Sequence, residues 1–128
     1  MLIGAMLAGK AFANSPVAAV HALAYPIGGT FHISHGLSNS LVLPYVLRFN
    51  SVDLKAAKNY AELAPYVFPK LDINKGTQAV CAEFIDKLED LSKRLGLPQK
   101  LREVDIPKNA CEKMASDAMK QTLSLIHI

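Results

Sequence analysis

Charge is spread so unevenly along this sequence that it restricts the fold on its own. Between Met1 and Asn50 the only formally charged side chains are Lys10 and Arg48, whereas the next 78 residues carry 23 of the 25 charges. An apolar stretch of that length, if left uncovered, favours aggregation or a molten state. The first fifty residues are therefore expected to be buried against something. Apolar residues make up 51% of the 128 and aromatics 7%, with no Trp. That mixture, rich in Ala and Leu, suits packed helices better than a sheet sandwich. The length allows at most one domain or a piece of one.

The helix pattern follows from spacing and breakers. Residues 2–13 read as a helix without a capping residue at its start. Asn14-Ser15-Pro16 ends it and starts the next, with Ser15 as N-cap and Pro16 at the first helical position. That second helix is expected to stop near Tyr25, before Pro26 and Gly28-Gly29, leaving residues 29–36 as a loop. A third helix runs from about Leu37 to Arg48, with Pro44 as a predicted kink. Ser51 is a cap for a helix over 52–64, stopped by Pro65, and a loop follows over 66–76. Over 77–95, Val80, Cys81, Phe84, Ile85, Leu88, Leu91 and Leu95 share one face at a 3.6-residue period. Gly96 and Pro98 end that helix in the expected order. A last helix, 107–121, begins at Pro107 and is expected to bury Ala110, Cys111, Met114 and Ala118. No run of period-two alternation competes, so the fold class is all-α.

The remaining composition excludes several functions. Lys and Arg are mixed with Asp and Glu through 53–120, so there is no basic stripe for nucleic acid. Lys10, Asn14, Ser15 and Pro16 interrupt the apolar N-terminus, which argues against a membrane span, and no positive region precedes it as in a secretory signal. Cys81 and Cys111 lack a CxxC arrangement and fall on apolar helix faces, so both are expected to be buried free thiols in a reducing cytoplasm. HExxH and GxSxG are absent, which disfavours a hydrolytic zinc site or a serine hydrolase.

The chemistry-bearing residues are the histidines. His21 and His35 flank the Pro26-Ile-Gly-Gly29 break in surroundings that favour neutral imidazole, the metal-binding form. Gly28 and Gly29 would permit a tight turn and Gly36 a close backbone approach, so that the two rings converge. Imidazole suits Fe(II), Zn(II) and Ni(II) alike, and two histidines alone make a weak signal.

A wider pattern adds to it. Gly9-Lys-Ala-Phe-Ala-Asn14, His21-Ala-Leu-Ala, Gly28-Gly29, His35-Gly36-Leu-Ser-Asn39, Leu43-Pro44 and Arg48-Phe-Asn50 together resemble the iron-containing (group III) alcohol dehydrogenase family. The specific part is His-x13-His-Gly with the paired glycines between. The resemblance is strong over 1–50 and fair over 51–121. It implies the C-terminal helical metal-binding domain of a dehydroquinate synthase-like fold, with His21 and His35 as two ligands of one divalent ion, Fe2+ with Zn2+ as the alternative. A further Asp and His would come from an upstream D-x-x-x-H helix that this sequence lacks, and NAD(H) or NADP(H) from an N-terminal domain that is absent.

The resemblance also implies an oxidoreductase acting on a small alcohol or aldehyde, cytoplasmic, and homo-oligomeric in its full-length form. Many members carry a further histidine beside the nicotinamide, often discussed as a proton relay, where this chain has Tyr25. The resemblance thus implies Tyr25 as the catalytic residue at that position, although its unperturbed pKa of about 10 makes it a poor proton shuttle. The alternative is a packing residue with a wet hydroxyl. Phe12 matches a position that often supplies an aromatic wall to the substrate pocket, with core packing the alternative. His32 matches no ligand and reads as a loop residue or as one supporting the ligands from behind; Asn14 and Asn39 read as helix caps or loop-orienting residues; His127 has no assigned role. Residues 1–122 thus read as a partial C-terminal domain with Met1 internal, and 123–128 as a non-native tail. The piece alone is expected to be inactive. The alternative is an autonomous small helical binding module without catalysis.

Overall fold

The computed structural model describes residues 2–15 and 17–120. Every regular element among them is a helix: α1 (Leu2–Asn14), α2 (Ala19–Phe31), α3 (His35–Asn50), α4 (Leu54–Val67), α5 (Thr77–Arg94) and α6 (Ala110–Met119), with 3₁₀ turns at Ile73–Lys75 and Leu101–Val104. The all-α expectation holds. The tail 123–128 and His127 lie outside the described residues. No single described helix is long and apolar enough to cross a membrane.

The chain divides into two compact units, one formed by Met1–Asn39 with Pro107–Ile128 and the other by Ser40–Ile106. In the first, α2 packs on α6. It buries Ala22, Ala24, Pro26 and Ile27, and α6 buries Met114 and Ala118. No residue of α1 is buried; Leu2 is 89% exposed.

The second unit has an apolar core of Ala57, Ala64, Leu71, Val80, Cys81, Phe84 and Ile85, flanked by Leu47, Tyr60, Ala61, Phe68 and Leu88. Ala57 and Ala64 lie two turns apart on α4, and their small side chains let α4 and α5 approach closely. Phe68 meets Phe84 edge-on at 5.9 Å. Arg48 donates to Asp86 at 3.0 Å and also to Glu89. Hydrogen bonding to Arg48 holds the Glu89 carboxyl below its ordinary pKa, and the same bonds raise that of Arg48.

Helix ends differ from expectation where breakers are packed. Helix α2 begins at Ala19, after Ala18, rather than at Ser15, whose amide donates to the Ala11 carbonyl and so extends α1. It continues through Pro26 and both glycines to Phe31, so the 29–36 loop shrinks to residues 32–34. A proline inside a helix forfeits one backbone hydrogen bond. Pro26 is itself buried, and burial on α2's packed side offsets that loss. Helix α3 contains Pro44, as expected, and runs longer than predicted, from His35 to Asn50. Helix α4 is capped by Asp53, whose carboxylate accepts from the Ala56 amide at 2.8 Å, and not by Ser51, whose hydroxyl donates to the Arg48 carbonyl. It passes Pro65 and ends at Val67.

The expected α5 is observed almost residue for residue. Gly96 adopts φ +72°, its amide donates to the Lys93 carbonyl at 2.9 Å, and the Leu97 amide reaches the Ser92 carbonyl at 3.2 Å. That pair of bonds is a Schellman ending, which requires the left-handed conformation glycine adopts without strain. Helix α6 is shorter than predicted, opening at Ala110.

The two thiols part company. Cys81 is buried at 1% exposure, and burial pushes its pKa up. Cys111 is exposed, contrary to expectation, because only Met114 and Ala118 of α6 turn into the packed side. A maleimide at neutral pH is expected to label Cys111 rapidly in the native chain and Cys81 only after denaturation, since the thiolate is the reacting species. Equal labelling rates by mass spectrometry would refute this burial pattern.

Candidate metal centre

The site lies within the first unit and is built from two residue pairs at helical i,i+4 spacing, His21 with Tyr25 on α2 and His35 with Asn39 on α3. The link 32–34 that returns the chain is short. His32 closes α2 in the left-handed conformation at φ 56°. Ser38, fully buried, donates its hydroxyl to the Ser34 carbonyl at 3.0 Å and the Ile33 carbonyl at 3.3 Å. Gly28 serves this turn from inside α2: a Cβ there would stand 3.3 Å from the Ile33 carbonyl oxygen. Its role is close approach and not the turn expected from sequence. Gly36, expected to allow close approach, faces open space.

The turn brings the imidazoles together. The His21 and His35 ring centroids are 5.2 Å apart with planes inclined 51°. Asn39 stands between them, its Nδ2 at 3.1 Å from His35 Nε2 and 3.5 Å from His21 Nε2. With the amide nitrogen facing the rings, both contacts have an N–H donating to an unprotonated Nε2. Both Nε2 lone pairs thus converge on one small region. His21 is half-buried; burial first, and the neighbouring His35 second, lower its pKa and keep it neutral. His35 is exposed.

Tyr25 lies 6.2 Å from His35, ring stacked on ring, and 6.4 Å from His21, edge-on. Tyr25 itself is 37% exposed. Phe12, the other sequence candidate, is 56% exposed on α1 and is not a core residue. His32 is exposed, as a loop residue should be. Asn14 closes α1 by donating to the Lys10 carbonyl at 2.8 Å. Asn39, read from sequence as a cap, sits inside α3 and touches both imidazoles instead. Its i,i+4 spacing from His35 was the available signal.

Two imidazoles suit a borderline divalent ion such as Fe2+ or Zn2+. Among the described residues no third His, Cys, Asp or Glu joins them. The donor set therefore fits half of a metal site, open on the His35 side.

The fold and this pairing define a class: an all-helical domain presenting two convergent histidines from adjacent helices. Comparison with known proteins gives the family. The model of the C-terminal part of the Fe-containing alcohol dehydrogenase family matches residues 1–126. Long-chain-alcohol dehydrogenase 1 of Geobacillus thermodenitrificans is 40% identical over 124 residues, 94% of this chain and 30% of that protein. 1-Propanol dehydrogenase PduQ of Citrobacter freundii is 41% identical over 92 residues, covering 72% of this chain and 25% of that protein. NADPH-dependent butanol dehydrogenase of Clostridium saccharobutylicum is 33% identical over 100 residues, 78% of this chain and 24% of that protein. The crystal structure of a 1,3-propanediol oxidoreductase superposes with a TM-score of 0.84 at 30% identity, over 92% of this chain and 30% of that one. The chain belongs to the iron-containing alcohol dehydrogenase family, and it spans between 24% and 30% of the length of these relatives.

Proposed function

We propose that this chain forms the metal-binding part of an alcohol dehydrogenase that moves hydride between a small alcohol or aldehyde and NAD(H) or NADP(H). His21 and His35 are two of the ligands to one divalent ion, Fe2+ or alternatively Zn2+. The observation that carries this reading is the convergence of both Nε2 atoms on Asn39 within a domain of that family. When bound, such an ion supplies Lewis-acid polarisation of the substrate oxygen. The chain's own residues do the rest of the local work. Partial burial keeps His21 neutral, the His32–Ser34 link sets where His35 enters, and Tyr25 lies beside His35 with its ring inclined 25° to the imidazole. Phe12 forms a wall for the alcohol's carbon chain. The nicotinamide is bound mainly by residues outside this chain, the working enzyme is a cytoplasmic homo-oligomer, and two ligands without a dinucleotide site give the chain alone no turnover.

Titrating the chain with Zn2+ or Co2+ while following the histidine side chains by NMR tests the ligand assignment. The His21 and His35 resonances should respond together and before His32. His21→Ala should weaken binding at the pair about tenfold or more, a size typical of losing support at a metal site. Independent responses of the two rings, or His32 responding first, would sink the assignment.

A further inference from the structure

We propose that Asn39 is a positioning residue of the metal site, its amide holding the two Nε2 lone pairs together until an ion takes them; this rests on His21 and His35 being the ligands.

The geometry sets the role. Asn39 is the fifth residue of α3 and so lies too deep to cap it. Its NH2 group has two hydrogens, and two acceptors lie within reach, at 3.1 and 3.5 Å. Each contact requires Nε2 to be unprotonated, which places the remaining proton of the neutral ring on Nδ1. That tautomer is the one in which Nε2 can bind a metal. The amide therefore selects the ligating tautomer of both rings and points both lone pairs the same way, before any ion is present.

The other end of the side chain explains why the amide can yield. Asn39 Oδ1 is buried and has no hydrogen-bond partner among the described residues. Buried amide oxygens are normally paired. Asn39 is thus hydrogen-bonded at the nitrogen alone. A lone pair committed to a metal cannot also accept an N–H. When both Nε2 atoms are taken, the amide loses both of its hydrogen bonds.

Long-range ¹H–¹⁵N correlation spectra of the metal-free, ¹⁵N-histidine-labelled chain, well above the imidazole pKa, report the tautomers of His21 and His35. In the wild type both should be Nδ1–H. In Asn39→Leu, which keeps the volume and removes the donor, His35 above all should acquire Nε2–H character, and Zn2+ affinity should rise severalfold, because the ion no longer has to displace the amide from both lone pairs. Asn39→Asp covers the case in which the leucine variant does not fold: a carboxylate accepts only, so the tautomer at His35 must reverse to Nε2–H. Unchanged tautomers in both variants overturn the proposal. Equal Zn2+ affinity in wild type and Asn39→Leu overturns it while leaving the metal site standing. Wild-type imidazoles that ignore Zn2+ overturn the metal reading itself, and this inference with it.

Discussion

In an alcohol dehydrogenase containing this domain, His21→Ala or His35→Ala is expected to lower kcat/KM by about a thousandfold or more. Polarisation of the substrate oxygen by a divalent ion contributes several kcal/mol to the transition state, and each 1.36 kcal/mol is a factor of ten in rate. Removing either imidazole leaves a site that cannot hold the ion in place. The two substitutions should not multiply, because either one already dismantles the site; the double variant should match the weaker single within about tenfold. Steady-state alcohol oxidation, with metal content measured on the same samples, checks this. Single variants that keep both their metal and their rate would exclude these histidines as ligands. Neither imidazole belongs to the buried core, so a circular dichroism melt of each variant should stay close to wild type and separate loss of rate from loss of fold.

The second large effect belongs to the other unit. Ile85, at 1% exposure, sits at the centre of the core shared by α4 and α5. Ile85→Ala should cost about 2–5 kcal/mol, the sum of lost transfer energy and an imperfectly closed cavity. Leu95 lies on the same face of the amphipathic pattern but is 67% exposed, so Leu95→Ala should stay within about 0.5 kcal/mol. Urea unfolding of the two variants against wild type measures the contrast. Similar midpoints for both would mean that the α4–α5 core is not where the structure places it.

That contrast also shows how far sequence reasoning reached. Period 3.6 identified the face of α5 and its ending at Gly96, because spacing and left-handed glycine chemistry are local properties. It could not tell that Val80 to Ile85 meet α4 while Leu91 and Leu95 meet little, since depth along a face is decided by the partner helix. The same blindness misplaced Cys111. Pro26 and Pro65 misled in the opposite direction: local propensity says stop, and packing of the surrounding helix overrides it. At the site, the histidine pair was legible from spacing and from the family resemblance. Asn39 was only half legible: its spacing from His35 is local, but its contact with His21 exists only once the 32–34 link brings the two rings together.

The three residues between α2 and α3 act as a gauge block. In a helix each residue advances about 1.5 Å and turns about 100°. His35 is the first residue of its helix, so its bearing on His21 is set by the count of residues before it as much as by their identity. Side chains in this link can vary wherever His32's left-handed backbone and the carbonyls gripped by Ser38 are respected. One residue added or removed would swing His35 away from its partner and break the grip of Ser38 on the link. Over evolutionary time such a segment should drift freely in composition and hold fast in length.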